Sequence, residues 1–436
     1  MKLQLPHSRS LRKHLEQLFM ALALLLPTAL KAQLAPASSD ATPVQASAPA
    51  PTPPVIKAGS DGLVLTPSEG TTLQIHGYLQ ADDRMFSANP KGASFDTFLF
   101  RRIRPLFEGT LFHELDYRFM PDFGQYNPQI QEAYVELTTI PWARLRVGKF
   151  KEPVGLEADK SDRDLALAER SLVSDLVPLR YMGAMVRGSF VSDSITYAFG
   201  YFNGSNDGSN GSFEWLPANE FAGRVFFLPF GRTKLVPLRN FGLGIGGSVA
   251  HQHSTVAGLK TVAQNTFFKY SSSTLANGQH NRISPQAYYY AGPVGLMAEY
   301  ALSSADLVNK LSHANVNNQA WEITGSVMLT GEQNAYHRIL PRRNFEPMRR
   351  WTHLGAVELV ARYSNLRVGT NAFPLFANPT TAAQEAAERG FGVNWYLNRF
   401  VKLTTDLEQT DFTMASKSIP ALRSEMVLMS RVQLDF

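Results

Sequence analysis

Cysteine is missing from all 436 residues, which excludes a disulfide framework, a thiolate metal site and a cysteine nucleophile. Beyond the N-terminus no stretch reaches the ~18 to 20 consecutive apolar residues that a membrane-spanning helix needs, so a helical membrane protein is excluded as well. Charged residues are sparse at 18%, and Lys plus Arg exceed Asp plus Glu by only 42 to 37. What is plentiful is Phe (28), Tyr (15) and Gly (31), and the aromatic share points toward strands.

Arg9, Arg12 and Lys13 precede an apolar run from Phe19 to Leu30 that ends near small residues. This predicts a secretory signal peptide over residues 1–32, with cleavage after Ala32; a membrane anchor would need a longer run. Removing it takes Lys2, Arg9, Arg12, Lys13 and Lys31 away against Glu16, so the formal charge of +5 falls to +1. Any preference for anions must therefore come from where charges sit. Residues 33–58 follow as a linker rich in Ala, Pro, Ser and Thr, with prolines at 36, 43, 49, 51, 53 and 54, a composition that buries too little apolar surface to order itself. The folded domain is expected over 59–436.

Within that domain apolar and polar residues alternate with a period of two. Leu73, Ile75, Gly77, Leu79 and Ala81 alternate with Gln74, His76, Tyr78 and Gln80; Trp321, Ile323, Gly325 and Val327 with Glu322, Thr324 and Ser326; Val401, Leu403 and Leu407 with Lys402, Thr404 and Glu408. A soluble sandwich shows the same texture. An exported chain without disulfides, built from ~10-residue alternating segments, fits better an all-β transmembrane antiparallel β-barrel with an apolar lipid face and a polar lumen. The C-terminal strand ends on Phe436, with Met426, Leu428 and Leu434 in the same phase, an ending that resembles the assembly signal of bacterial outer-membrane proteins. At ~24 residues per strand and connection the domain holds about 16 strands, although 14 or 18 satisfy nearly the same arithmetic.

Two motifs fail their context. GLGIGG at 242–247 matches a dinucleotide fingerprint literally, but no amphipathic helix or βαβ unit follows, so it reads as a strand whose small residues admit a close neighbour. The NGSNDGSNGS stretch from Asn203 offers only Asp207 as a carboxylate, too few for calcium, and reads as a surface loop. No HExxH or GxSxG constellation exists, and an enzyme, a cofactor or a metal site is not expected.

The concentrated feature is positive charge. In FLFRRIRPLFEG (98–109), Ile103, Pro105 and Phe107 are expected to face lipid and Arg102 and Arg104 the lumen, since arginine at the lipid face near the midplane costs ~2 to 4 kcal/mol. Arg101 lies at the rim or is turned inward by a bulge. By the same phase Arg118, Arg144 and Arg146 face the lumen. These arginines either attract a passing anion or pair with lumen carboxylates such as Glu132 and Glu136 and stiffen the wall. Strands are expected near 72–82, 97–109, 115–122, 130–138 and 143–149, and, counted back from Phe436, near 424–436, 400–411, 390–397 and 355–367. Lys149 to Met182 then forms the third external loop, expected to fold into the lumen and to carry Lys149, Lys151, Lys160, Arg163, Arg170 and Arg180 toward the constriction. A solvated loop is the alternative, because seven carboxylates are interspersed there. Parity puts residues 331–352, with Arg338, Arg342, Arg343, Arg349 and Arg350, on the C-terminal, periplasmic side, either folded into the mouth or solvated.

The blocks FRRIRPLFEG, QEAYVEL, RVGKFKEPVGLE, ERSLVSDLVPLRYMG, GAVELVARYSNL and GVNWYLNRFVKL resemble, in order and spacing, the phosphate-selective porins of the O and P type. The resemblance implies a 16-stranded homotrimeric channel of the bacterial outer membrane, in contact with lipid and lipopolysaccharide. In it, arginines line the path and lysines at the constriction bind phosphate-like inorganic anions; nucleic acid is not an expected partner. Arg101 and Arg102 match the family's paired arginines, Lys149 and Lys151 its basic GKFKEP segment, and Lys402 a basic position after the NWYLN turn. Pro105 within the strand, and Glu132 before Ala133 and Tyr134, depart from the pattern. A general or organic-anion pore, or a structural or adhesive barrel, are the alternatives to a passive phosphate-preferring channel.

Overall fold

The computed structural model describes residues 54–59, 62–88, 95–204, 207, 208, 210, 219–310, 312–350, 352–416 and 424–436. The expected signal peptide and most of the expected linker lie outside the described residues. The last linker residues are not irregular: β1 (Val55–Gly59) pairs antiparallel with β2 (Gly62–Ser68), and β2 pairs with the start of β3 (Thr71–Ala88).

The strands that follow are β4 (Thr97–Leu111), β5 (Leu115–Asp122), β6 (Gln129–Leu137), β7 (Arg144–Lys151), β8 (Arg180–Phe190), β9 (Ile195–Phe202), β10 (Asn219–Phe227) and β11 (Phe241–Thr255). After a small hairpin, β12 (Leu259–Lys260) and β13 (Thr266–Phe268), come β14 (Leu275–Ala291), β15 (Val294–Val308), β16 (His313–Met328), β17 (Ala356–Arg367), β18 (Ala383–Tyr396), β19 (Val401–Met414) and β20 (Glu425–Asp435). Each barrel strand pairs antiparallel with its neighbour, and β20 returns to β3 through Leu434 opposite Leu79 and Arg431 opposite Asp82, closing a 16-stranded barrel. Closure leaves no strand edge unpaired, the condition for crossing a bilayer with strands.

Burial along the strands is inverted relative to a soluble sandwich. In β16, Trp321, Ile323 and Val327 are 38%, 48% and 37% exposed while Glu322 and Thr324 between them are buried. Apolar residues facing out and polar residues facing in require an apolar solvent outside. The alternation that left two architectures open is thereby resolved in favour of the transmembrane barrel.

The short turn at Asn398, whose Oδ1 accepts from the amides of Phe400 and Val401, lies at the same end as the C-terminus, where the Asp435 amide donates to the Phe400 carbonyl. The connection 329–355 belongs to this end too, since the Phe345 amide donates to the Leu397 carbonyl. Of the connections at the opposite end, 152–179, with the short helix α1 (Leu156–Asp159), is the third and the longest. At that end Leu172, Val173 and Leu176 pack with Phe267, Phe268 and Phe376 and with the strand residues Leu307, Val316 and Leu366 in an apolar core. Gly246, inside the GLGIGG run on β11, has the Val154 carbonyl where a Cβ would stand, at 2.0 Å. The run serves close backbone approach and not a nucleotide.

Candidate functional site

Hydrogen bonds tie the 152–179 segment to strands all round the barrel. The amides of Leu156 and Glu157 donate to Glu299 on β15 at 2.9 Å each, and the Ala168 amide to Asp406 on β19 at 2.5 Å. Gln286 on β14 donates to the Val154 carbonyl at 2.9 Å, Arg362 on β17 to the Glu169 carbonyl at 2.9 Å, and Lys402 on β19 to the Leu165 carbonyl at 2.8 Å.

The segment also supplies the carboxylates that meet the arginines of β3, β4 and β20. Arg101 is the extra residue of a β-bulge, because Gln80 pairs with Arg102 and Ala81 with Phe100. The bulge turns it inward, where it grips Glu169 at 2.5 and 3.0 Å. Arg102 lies 3.3 Å from Glu169 and 3.4 Å from Asp162; Arg104 bonds Asp122 at 2.6 Å and also pairs with Asp162. Arg84, Arg170, Arg180 and Arg431 complete the cluster around Asp82, Asp162 and Glu169. Burial opposes the charge of Asp162, yet Arg170, Arg102, Arg104 and Arg180 hold its carboxyl well below the usual range. Glu169 is likewise buried and is held low by Arg101, Arg102, Arg431 and Arg84. The arginines of FRRIRP thus face inward, but their partners are Asp162, Glu169 and Asp122, not the expected Glu132 and Glu136, and their side chains are only 3 to 4% exposed at Arg102 and Arg104.

Glu132 and Glu136 serve a second group. A cavity of about 1200 Å³ is lined by Arg118, Arg144, Arg146, Lys151, Arg163, Arg180, Arg187 and Arg224 together with Glu108, Glu132, Glu136 and Asp159, among others. Glu136 alone is approached by Arg146 at 2.6 Å, Arg187 at 2.7 Å and Arg144 at 4.0 Å, with the side chains of Arg187 and Arg144 39% and 41% exposed. Arg118 bridges Glu108 at 2.6 Å and Glu132 at 3.2 Å. Three guanidiniums around one carboxylate leave donors turned to the cavity, since each carries five N–H groups.

The four lysines separate. Lys151 donates to the carbonyls of Asp159 and Lys160 at 2.8 and 2.5 Å, which anchors α1. Lys149 is buried beside Phe150, in register with Ala133 and Met182, and forms no ion pair among the described residues. Lys160 and Lys402 share a cleft of about 40 Å³ with Arg163, Arg338, Glu358 and Asp435, space for a few waters at most. Their ammonium groups sit 5.2 Å from the ring centres of Tyr336 and Tyr396. Burial, partly offset by Asp164 and Glu358, pushes the Lys160 ammonium below its usual range.

The basic connection at the C-terminal end divides. Tyr336 donates to the Leu156 carbonyl at 2.7 Å, and Arg338 bonds Asp435 at 2.9 Å, so this part enters the mouth. Arg342, Arg343, Arg349 and Arg350 are exposed. Arg187 and Arg224 escaped sequence reading because neither sits in a cluster of basic residues, Arg187 lying seven positions from Arg180 in β8 and Arg224 alone in β10; the only signal was their phase. Asp207 was read as part of a surface loop, yet it bonds Arg282 at 2.6 Å and Ser303 at 2.5 Å. Among the described residues no group of three or more His, Asp or Glu is placed to hold a metal ion.

Comparison with known proteins agrees with the barrel. Porin O of Pseudomonas aeruginosa is 24% identical over 387 residues, covering 80% of this chain and 85% of Porin O. The outer-membrane channel DcaP of Acinetobacter baumannii superposes with a TM-score of 0.54 at 8% identity, covering 84% of this chain and 98% of DcaP. The trimer form of OmpT, an outer-membrane protein of Vibrio cholerae, gives 0.53 at 12% identity, covering 84% of this chain and all of that one. The profile of the family described as phosphate-selective porin O and P matches residues 73–436, nearly the whole barrel, and the chain belongs to that family as a β-barrel channel of the bacterial outer membrane.

Proposed function

We propose that this channel passes small anions, phosphate-like oxyanions among them, along the arginines of the large cavity. The observation that carries the reading is the gathering of Arg144, Arg146 and Arg187 on the single carboxylate Glu136 at the cavity wall. The group retains a net positive charge where water has access, so an incoming anion meets a favourable field and exchanges part of its hydration for guanidinium donors. Sharing one carboxylate keeps each contact moderate, which suits release as well as entry. The 152–179 segment is the proposed constriction, because its bonds to opposite walls leave the passage beside it. OmpT is described in a trimer form, and that supports a homotrimer here. Residues 1–32 are proposed as the export leader and the Pro- and Ala-rich residues from 33 up to β1 as the tether between leader and barrel.

The test is the zero-current potential of the purified channel in a planar bilayer under a potassium chloride gradient, followed by addition of phosphate. The wild type is expected to be anion-selective, with its chloride current reduced by phosphate. Replacing Arg146 and Arg187 by Gln is expected to lower anion-over-cation permeability on the order of thirtyfold, from ~0.5 kcal/mol per unit charge at ~8 Å in water acting with opposite sign on the two ions. A cation-selective wild type would contradict the proposal. Anion selectivity without any phosphate effect would instead favour a general anion pore.

A further inference from the structure

Arg163, on the segment between α1 and β8, borders the large cavity, the narrow cleft and a third pocket of about 200 Å³ formed with Gln74, His76, Arg338, Phe400, Asp435 and Phe436. It stands where these three spaces adjoin, near the C-terminal residues Asp435 and Phe436. Its guanidinium lies 5.6 Å from the centre of the Tyr78 ring. Every other arginine on the large cavity has a carboxylate within ion-pairing distance, whereas Arg163 has none among the described residues. Arg338 borders two of the same three spaces and is held by Asp435 at 2.9 Å. It comes from the long connection 329–355, which reaches inward through the Tyr336 bond to Leu156.

We infer that Arg163, assisted by Arg338, forms an oxyanion-binding station at the C-terminal mouth, separate from the arginines grouped on Glu136. The inference rests on the anion-channel reading and adds a residue-level site to it. A guanidinium presents two parallel N–H groups that match two oxygens of a phosphate, phosphate ester or carboxylate. An unpaired one keeps that fork whole, while Arg146 or Arg187 must share it with Glu136. The pocket has room for several waters at ~30 Å³ each and therefore for a small tetrahedral anion. Asp435 also borders it, and its pairing with Arg338 lessens the repulsion an anion would meet. At this position an anion leaving the large cavity is held before release, or one arriving from the other side is captured.

The experiment compares wild type, Arg163→Gln and Arg163→Lys in planar bilayers, with inorganic phosphate titrated into a chloride solution. Arg163→Gln breaks no ion pair among the described residues, so the barrel is expected to assemble and to insert as an open channel. The phosphate concentration for half-block is expected to rise roughly three- to tenfold, the loss of one charge-assisted contact. Arg163→Lys restores the charge without the fork and is expected to fall between the two. An anion-selective wild type whose phosphate block is unchanged in Arg163→Gln overturns the station alone. A wild type that is not anion-selective overturns the underlying reading.

Discussion

Arg102 and Arg146 are the same residue type on the same face of neighbouring sections of one barrel, yet they occupy opposite environments. Around Arg102, carboxylates delivered by the 152–179 segment close over Arg84, Arg101, Arg104 and Arg431 and leave almost no exposure. Around Arg146, only the wall residue Glu136 answers three arginines, and the group opens to a cavity of about 1200 Å³. The difference between them is access and not charge. A lumen arginine becomes a brace where a loop carboxylate reaches it and a conduit where none does.

The largest effect is expected from breaking the brace. Glu169→Ala removes the shared partner of Arg84, Arg101, Arg102 and Arg431, and uncompensating a buried cluster costs ~3 to 5 kcal/mol. Unfolding of the reconstituted protein should show that loss, together with faster proteolysis of the 152–179 segment. The matching change at the open group, Glu136→Ala, should cost less than Glu169→Ala because Arg144 and Arg187 are well exposed and can be solvated from the cavity, and it should raise anion selectivity. Equal losses at the two sites would erase the distinction.

A smaller effect is expected from Asp175, where the 152–179 segment meets the hairpin of β12 and β13. Its Oδ2 accepts the Lys260 amide at 2.6 Å. Burial pushes its carboxyl up to about 7 despite that bond and the charge of Lys260. In the unfolded chain it would titrate near ~3.9. The folded state therefore binds the extra proton between those values, so stability falls as pH rises from ~4 to about 7 and is lowest above. Asp175→Asn should flatten that part of the pH dependence. An unchanged slope would remove Asp175 from the contact between segment and hairpin.

Strand positions were legible because each barrel strand meets lipid on one face and a polar interior on the other, which imposes a period of two on residues such as Trp321 to Val327. The bulge at Arg101 was foreshadowed by adjacent arginines that cannot both point inward in a regular strand. The fate of those arginines was not legible, since Asp162 and Glu169 lie some 60 to 70 positions away and no local pattern says which loop carboxylate will reach which wall residue. Lys149 and Lys151 were read together as binding groups, whereas the structure gives Lys151 to the α1 backbone and buries Lys149 beside Phe150. For 331–352 both readings, folded into the mouth or solvated, were open, and the segment divides between them: Tyr336, which the sequence reading did not single out, and Arg338 anchor the inward part, while the later arginines are exposed.

Because the chain has no cysteine, accessibility can be read at one engineered thiol at a time. Arg146→Cys and Arg102→Cys are reconstituted in planar bilayers and treated with a water-soluble, charged thiol reagent while current is recorded. The account predicts rapid modification and a step in conductance at position 146, and modification at position 102 slower by on the order of a hundredfold, as burial at 3% side-chain exposure demands. Equally fast modification at both positions would contradict it.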